Sequence, residues 1–306
     1  MRIGVLGNEG SWYVNQLCAV AEQRGHQAVA LQFPELQAGI RRGQSQLQIG
    51  DTDLLSLDVL LIRTMPPGSL EQVVLRMDML AVAKQQGLRV INDPRAIECA
   101  VDKYLTTQKL AQAGLPVPDT VICESADVAL EAFDQLGGDV VVKPVFGAEG
   151  RGILRIDQRE LALRTFRTLE RLNATLYLQR FLRGDAADLR ILLLGGQLLA
   201  AMQRRPAVGD FRANAAQNGS CVPWTPSEEE FRLAQQAADV TGCIFAGVDL
   251  MRDEHGQLNV IEVNAVPGWR AIQRTCGCHV AERLFEWLET DLRIDDGSGS
   301  PRSSSR

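Results

Sequence analysis

Lys143 closes the apolar run Val140 to Val142 and is followed by glycines at 147, 150 and 152 in the stretch VVVKPVFGAEGRGI. Glycines let backbone N–H groups turn toward an anion, and a lysine beside them supplies a fixed positive charge. That combination suits phosphate. The stretch is neither a GxxxxGK[ST] loop nor a GxGxxG turn, and taken alone it reads as readily as a hairpin with a glycine turn. A second group lies in AGVDLMRDEHGQLNVIEVNAVPG, Ala246 to Gly268. Asp249 falls on one strand of an expected hairpin, and Glu262 and Asn264, two apart on the other, point to one sheet face. Three oxygen-bearing side chains with no histidine or cysteine nearby suit a hard cation such as Mg²⁺, which shares its coordination with nucleotide phosphates. The apolar neighbours Val248, Leu250, Val260, Ile261 and Val263 argue against a merely solvated acidic face, because buried carboxylates need a counter-ion.

Two further segments carry polar groups that such a site needs. In LYLQRFLRGDAADLRI, Leu176 to Ile191, a turn joins two strands; backbone groups of Gln179 to Leu182 can grip an adenine ring, and Asp188 can accept from ribose hydroxyls. In RRPAVGDFRANAAQNGS, Arg204, Arg205, Arg212 and Asn214 offer enough positive and polar character to hold a γ-phosphate or acyl phosphate. A solvated basic loop is the plainer reading of that segment by itself. His26, His255 and His279 stand singly, and Cys276-Gly277-Cys278-His279 lacks the second ligand pair of a zinc site. No GxSxG motif or serine-triad order is visible.

The elements that must carry these residues follow from periodicity. Strands are expected at Ile3 to Leu6, Ala28 to Phe33, Leu57 to Ile62 and Arg89 to Asn92. Between them lies a helix with Val14, Leu17, Cys18 and Ala21 on one face, stopped by Gly25. A second begins at a Ser69/Gln72 capping box and buries Leu70, Val73, Val74, Met77, Leu80 and Ala81. This is an open parallel α/β sheet. One more helix, Ala96 to Ala113, precedes an α+β half with antiparallel hairpins across Gly195-Gly196 and Glu254-His255-Gly256.

The chain has 306 residues, enough for about two domains, and its apolar content of 45% and charged content of 23% are ordinary globular proportions. With 32 basic and 38 acidic residues the net charge is −6, so no general attraction to nucleic acid or anionic lipid is expected. No apolar run approaches a membrane span, and the start MRIGVLGNEG lacks a basic stretch followed by an apolar segment, so a cytoplasmic protein is expected. Seven cysteines, an odd number, fit reduced thiols.

Taken in order, the motifs resemble the ATP-grasp superfamily, and within it the RimK-like α-L-glutamate ligases. The residues that carry the resemblance are Asp102-Lys103, Lys143 with FGAEGRG, QRFL with Asp188 and Arg190, GDFRAN, AGVDL and IEVNAVPG, and it extends to about residue 290. It implies an ATP-grasp fold, α/β and α+β, behind an N-terminal open parallel-sheet domain. The expected divisions are 1–97 for that domain, where the strand–helix pattern stops, 98–178 and 179–292 for the two ATP-grasp subdomains, and 293–306 for a disordered tail, which is polar and rich in glycine and serine. It implies ATP with its phosphates under the glycine loop (Glu149, Gly150, Gly152) and held by Lys103 and Lys143, adenine at Gln179 and Leu182, and ribose at Asp188. Asp249, Glu262 and Asn264 would bind one or two Mg²⁺ ions, with Mn²⁺ as an alternative. Arg204, with Arg190, Arg212 and Asn214, would meet the transferring phosphoryl group. In such chemistry a carboxylate attacks the γ-phosphorus, an acyl phosphate forms, and an amine displaces phosphate; no protein nucleophile is required.

Arg180 departs from the family, which commonly carries a glutamate there. IRTMPPGSLEQVVLRMDML (Ile62 to Leu80) and NAVPGWRAI (Asn264 to Ile272) resemble the subgroup associated with tetrahydromethanopterin-linked one-carbon metabolism. That resemblance implies L-glutamate and a pterin-type small-molecule carboxylate as partners. Arg63 and Arg270 would pair with acidic substrate groups and Trp269 would stack on a planar ring, although a strand-end arginine and a core aromatic are the plainer readings of Arg63 and Trp269. Two alternatives stand beside this one: glutamylation of a protein or peptide C-terminus, and a nucleotide-binding regulator without catalysis. The family often forms homo-oligomers.

Overall fold

The computed structural model describes residues 1–147, 152–207, 211 and 219–297, with side chains as far as residue 291. It forms two compact units, Met1–Ile91 together with the chain from Cys278, and Asn92–Gly277.

The first unit starts β1 (Arg2–Leu6), α1 (Trp12–Gln23) and β2 (Gln27–Leu31). Three short strands follow, β3 (Leu36–Arg41), β4 (Gln44–Ile49) and β5 (Thr52–Asp53), then β6 (Val59–Ile62), α2 (Leu70–Gln85) and β7 (Arg89–Ile91). The strands β2-β1-β6-β7 make the expected sheet, parallel throughout. Ile3, Val5, Leu60 and Leu61 are buried, as strands covered on both faces require. The Ser69/Gln72 capping box forms, but only the second half of α2 buries its stripe. Met77, Met79, Leu80 and Ala83 are covered, whereas Leu70 is 80% exposed and Val74 and Leu75 are also exposed. Periodicity gives the face of a helix, not the length over which the sheet lies beneath it. The antiparallel sheet β3-β4-β5 was not expected. Its signal is the alternation in QSQLQI, whose Leu47 and Ile49 are buried between exposed glutamines.

The second unit opens with two helices, α3 (Pro94–Val101) and α4 (Lys103–Gln112), where one was expected. Asp102 breaks them: its backbone is extended, and its carboxylate accepts from the Leu105 N–H at 2.9 Å, capping α4. Then come β8 (Thr120–Cys123), α5 (Ala126–Gln135), β9 (Val140–Lys143), β10 (Leu154–Ile156), α6 (Arg159–Arg171) and β11 (Leu176–Arg180). The antiparallel sheet β10-β9-β11-β8 buries one face against α5 and α6 through Phe133, Val140, Val142, Phe166, Leu176 and Leu178. Strand alternation therefore turns Val141, Lys143, Tyr177 and Gln179 to the other face.

The remaining elements are β12 (Asp188–Leu194), β13 (Gln197–Arg205), β14 (Ser220–Pro223), α7 (Glu228–Thr241), β15 (Phe245–Arg252), β16 (Leu258–Asn264) and α8 (Arg270–Cys276). Both expected hairpins form within the antiparallel sheet β14-β13-β12-β15-β16. Ahead of β12, Gly184 runs so close to the end of β15 that a Cβ on it would lie 2.0 Å from the Arg252 carbonyl oxygen.

The last helix, α9 (Val280–Gly297), belongs to the first unit and packs on α1. Its Glu289 accepts from Arg24 at 2.8 Å and contacts the His26 ring nitrogen at 2.9 Å. The helix covers 293–297, where a tail was expected, and residues 298–306 lie outside the described residues. The expected divisions at 97 and 178 fall inside α3 and β11. Among the described residues no helix is long and apolar enough to cross a membrane, and all seven cysteines are free thiols.

Candidate active site

Strand register in the five-stranded sheet assembles the charged residues. Asp188 and Arg190 lie two apart on β12, so they share a face. Asp188 is opposite Arg204 on β13, Arg190 is opposite Asp249 on β15, and Asp249 is opposite Glu262 on β16. A bulge after Asp249 makes Ile261 the extra residue. It lets Val260 and Glu262 face opposite sides, Val260 into the core beside Leu250 and Glu262 beside Asp249. Asn264 is opposite Gly247, whose carbonyl accepts from its side-chain amide at 3.3 Å. Gly247 leaves little room for a side chain, because a Cβ would lie 2.6 Å from Arg190 Nη1 and 2.9 Å from Pro267.

The result is a buried, alternating row of charge. Arg204 Nε and Nη2 donate to the two Asp188 oxygens at 2.5 and 2.7 Å, and Nη2 lies 2.9 Å from Asp249 Oδ1. Arg190 Nη2 donates to Asp249 Oδ2 at 2.8 Å. Burial works to lower the Arg204 pKa, but the Asp249 and Asp188 carboxylates outweigh it and hold it raised. Burial likewise works against the Asp249 charge, and Arg190 and Arg204 together hold its carboxyl below the usual range.

On the four-stranded sheet, Lys143 is opposite Tyr177, and its Nζ donates to Gln179 Oε1 at 2.6 Å. Burial pushes this ammonium down to about 8, against the pull of Glu262. Lys103, at the start of α4, donates to the Gly147 carbonyl at 2.8 Å and lies 3.7 Å from Glu262 Oε1.

Between the two sheets is a cleft of about 880 Å³, including the solvent at its mouth. Lys103, Lys143, Gln179, Leu182, Asp188, Arg204, Asp249 and Glu262 all line it. Arg190 stands behind Asp249, and neither Asn264 nor Gly152 lines the cleft, although Gly152 has the positive φ of a glycine turn. Glu149, Gly150, Arg212 and Asn214 lie outside the described residues. Arg63 belongs to the first unit, where it is buried with its guanidinium over the Tyr13 ring at 5.4 Å, not on the surface at a strand end. Trp269 is fully buried against Phe245, with no ring face open to a ligand, because the turn after Pro267-Gly268 folds it into the core. Arg270 is exposed at the first turn of α8. Arg180 lines the cleft's lip, where Nη1 donates to Glu254 at 3.0 Å and Asp119 lies 3.6 Å away.

The sequence reading placed the backbone of Gln179 to Leu182 at the adenine but missed the side chains of Val141, Phe211, Met251 and Ile261 as cleft lining. Phe181 is edge-on to Phe211 at 6.2 Å and carries the Arg155 guanidinium 3.7 Å above its ring. Alternation on β9 and β15, with Val141 and Met251 each two from a charged site residue, is the signal that could have found two of them.

The donor set fits a hard cation and a nucleotide. Asp249 Oδ1 is buried between Arg190 Nε at 2.5 Å and Arg204 Nη2 at 2.9 Å, with a well-aligned hydrogen bond to neither, and Glu262 beside it is half-buried. No group of three His, Cys, Asp or Glu among the described residues is arranged for a metal.

A family model described as the RimK-like ATP-grasp domain matches residues 100–288. The chain is 30% identical to tetrahydromethanopterin:alpha-L-glutamate ligase of Methanosarcina acetivorans, over 95% of this chain and 99% of that one. It is 31% identical to ribosomal protein bS6–L-glutamate ligase of Escherichia fergusonii, over 94% and 96%. Among solved structures, the ATP-grasp ligase PsnB complexed with a phosphomimetic variant of minimal precursor, Mg and ADP superposes with a TM-score of 0.75 at 19% identity. That match covers 94% of this chain and 97% of that one, and it establishes the shared fold.

Proposed function

This chain belongs to the RimK-like ATP-grasp family of carbon–nitrogen-bond-forming ligases, and on that premise we propose that it joins L-glutamate to a small carboxylate of the reduced-pterin type. ATP-grasp ligases use ATP and Mg²⁺. The observation that carries the reading is the cleft itself, where two lysines face a carboxylate pair and a buried arginine. Lys103 and Lys143 would bind phosphate oxygens. Asp249 and Glu262, with Asn264 at the end of β16, would hold the metal, which supplies Lewis-acid charge at the transferring phosphoryl group. Arg204 is fixed by Asp188 and Asp249, so it would meet developing negative charge without reorganising. The acceptor carboxylate oxygen would attack the γ-phosphorus with ADP leaving; the glutamate nitrogen would then attack the acyl carbon, lose a proton and expel phosphate. The apolar lining beside Phe181 and Leu182 would take the base, and Asp188, with both oxygens on Arg204, would reach ribose only by sharing one.

A second acceptor, a protein or peptide C-terminus, is favoured by the relative named for ribosomal protein bS6 and by a net charge of −6 that would attract a basic partner. Phosphate release with MgATP and L-glutamate, measured across reduced pterin acids, folates and basic peptides with mass spectrometry of each acceptor, separates the two. Release that depends on glutamate and a pterin acid, with a glutamyl mass gain, supports the first reading; gain only on peptides replaces it with the second.

A further inference from the structure

Beneath the Lys143 ammonium lies an uncharged network whose donors and acceptors follow from the backbone carbonyls at its edges. Thr120 Oγ1 donates to the Pro118 carbonyl at 2.8 Å, so its proton is committed and it can only accept from Gln179 Nε2, 3.0 Å away. Thr107 Oγ1 donates to the Lys103 carbonyl at 2.7 Å, so it accepts from the Tyr177 hydroxyl at 2.9 Å. The Tyr177 oxygen is thereby left as an acceptor for Gln179 Nε2 at 3.4 Å. Both faces offered to the Gln179 amide nitrogen are acceptors, which fixes the amide's orientation and turns Oε1 toward Lys143 Nζ. Tyr177 and Gln179 are 1% and 3% exposed, while Thr107 and Thr120 are half-buried. The chain of contacts also begins on the Lys103 backbone, tying together the two lysines that line the cleft.

We propose that Gln179 is a positioning residue that holds the Lys143 ammonium in the cleft, and that Thr120, Tyr177 and Thr107 act by fixing its amide. The proposal rests on the reading of Lys143 as a phosphate-binding group for its consequence, but not for the positioning itself.

Two measurements on the full chain separate these. Lys143 is one of four lysines, so acylation by a lysine-directed reagent, resolved by peptide mass spectrometry, reports the freedom of its ammonium in the ligand-free protein. Thr120→Val and Tyr177→Phe should each raise Lys143 labelling several-fold relative to Lys109, and an unchanged ratio in both overturns the positioning role. MgATP affinity by calorimetry is then compared for Gln179→Leu and Tyr177→Phe alone and combined with Lys143→Met. Each should weaken binding about tenfold in the parent, the scale of a lost hydrogen bond to a charged group, and less than twofold once Lys143 is gone. Equal losses in both backgrounds would show that the network acts elsewhere and overturn the proposal. If Lys143→Met alone leaves affinity unchanged, the phosphate reading of Lys143 fails, while the labelling ratio still decides the positioning.

Discussion

The two sheets that face each other across the cleft hold their buried cations by opposite means. On the five-stranded sheet, Arg190 and Arg204 are matched by Asp188 and Asp249, and the carboxylates keep Arg204 firmly charged. On the four-stranded sheet, Lys143 has a neutral amide as its hydrogen-bond acceptor, and burial draws its pKa down to about 8. The difference is one of readiness. A compensated arginine is a fixed electrostatic feature whose removal leaves a buried charge unpaired. A lysine on an amide keeps most of its attraction for an anion still unsatisfied, which is the condition a phosphate-binding group must meet.

Breaking the compensated side should have the largest effect. Asp188→Asn leaves Arg204 buried with Asp249 as its remaining charged partner and should cost about 2–3 kcal/mol of stability, read as a fall in the urea midpoint. A loss below about 1 kcal/mol would mean that the row relaxes freely. Glu262→Gln keeps shape and removes charge at the cleft, so kcat should fall about a hundredfold while the melting temperature stays close to that of the parent; an unchanged rate would remove Glu262 from the metal set. Gly247→Ala pushes a methyl into Arg190 and Pro267 and should destabilise by about 1–3 kcal/mol, with thermal unfolding as the check. In the first unit, Arg24 and His26 hold the Glu289 carboxyl down at about 2. A depressed carboxylate stabilises above its unfolded value near 4.5 and loses that contribution as pH falls through 2. Glu289→Gln should therefore be less stable than the parent at neutral pH, with the gap closing between pH 4.5 and 2 in acid-unfolding curves. Smallest of all, Leu70→Ser at a position 80% exposed should shift stability by less than about 0.5 kcal/mol.

The parallel sheet and both hairpins were legible in the sequence because buried strands and glycine turns leave local signals. Of the residues that line the cleft, Lys143, Asp249 and Glu262 were legible as polar interruptions of apolar runs, whereas Lys103 came only through the family resemblance. What was not legible depends on contacts between distant segments. Trp269 was expected at the substrate through the resemblance carried by NAVPGWRAI, yet nothing local distinguishes a tryptophan that folds inward onto Phe245 from one that lines a pocket. The break at Asp102 was missed although Asp is a strong helix cap, because the apolar period continues through it. The partnership of Asp188 with Arg204 needs strand register, and register across a glycine hairpin can slip by one until the bulges are known.

Gly184 has a consequence for how this sequence can drift. Every single-base change in a glycine codon that alters the amino acid adds at least a Cβ or ends the chain, and here that Cβ would sit 2.0 Å from a backbone oxygen that cannot rotate away. The position is closed to neutral variation in a way that Gly10 and Gly25, with open space around them, are not. A saturation library selected for folding should return only glycine at 184, while the backbone conformation alone, rather than crowding, filters the other two.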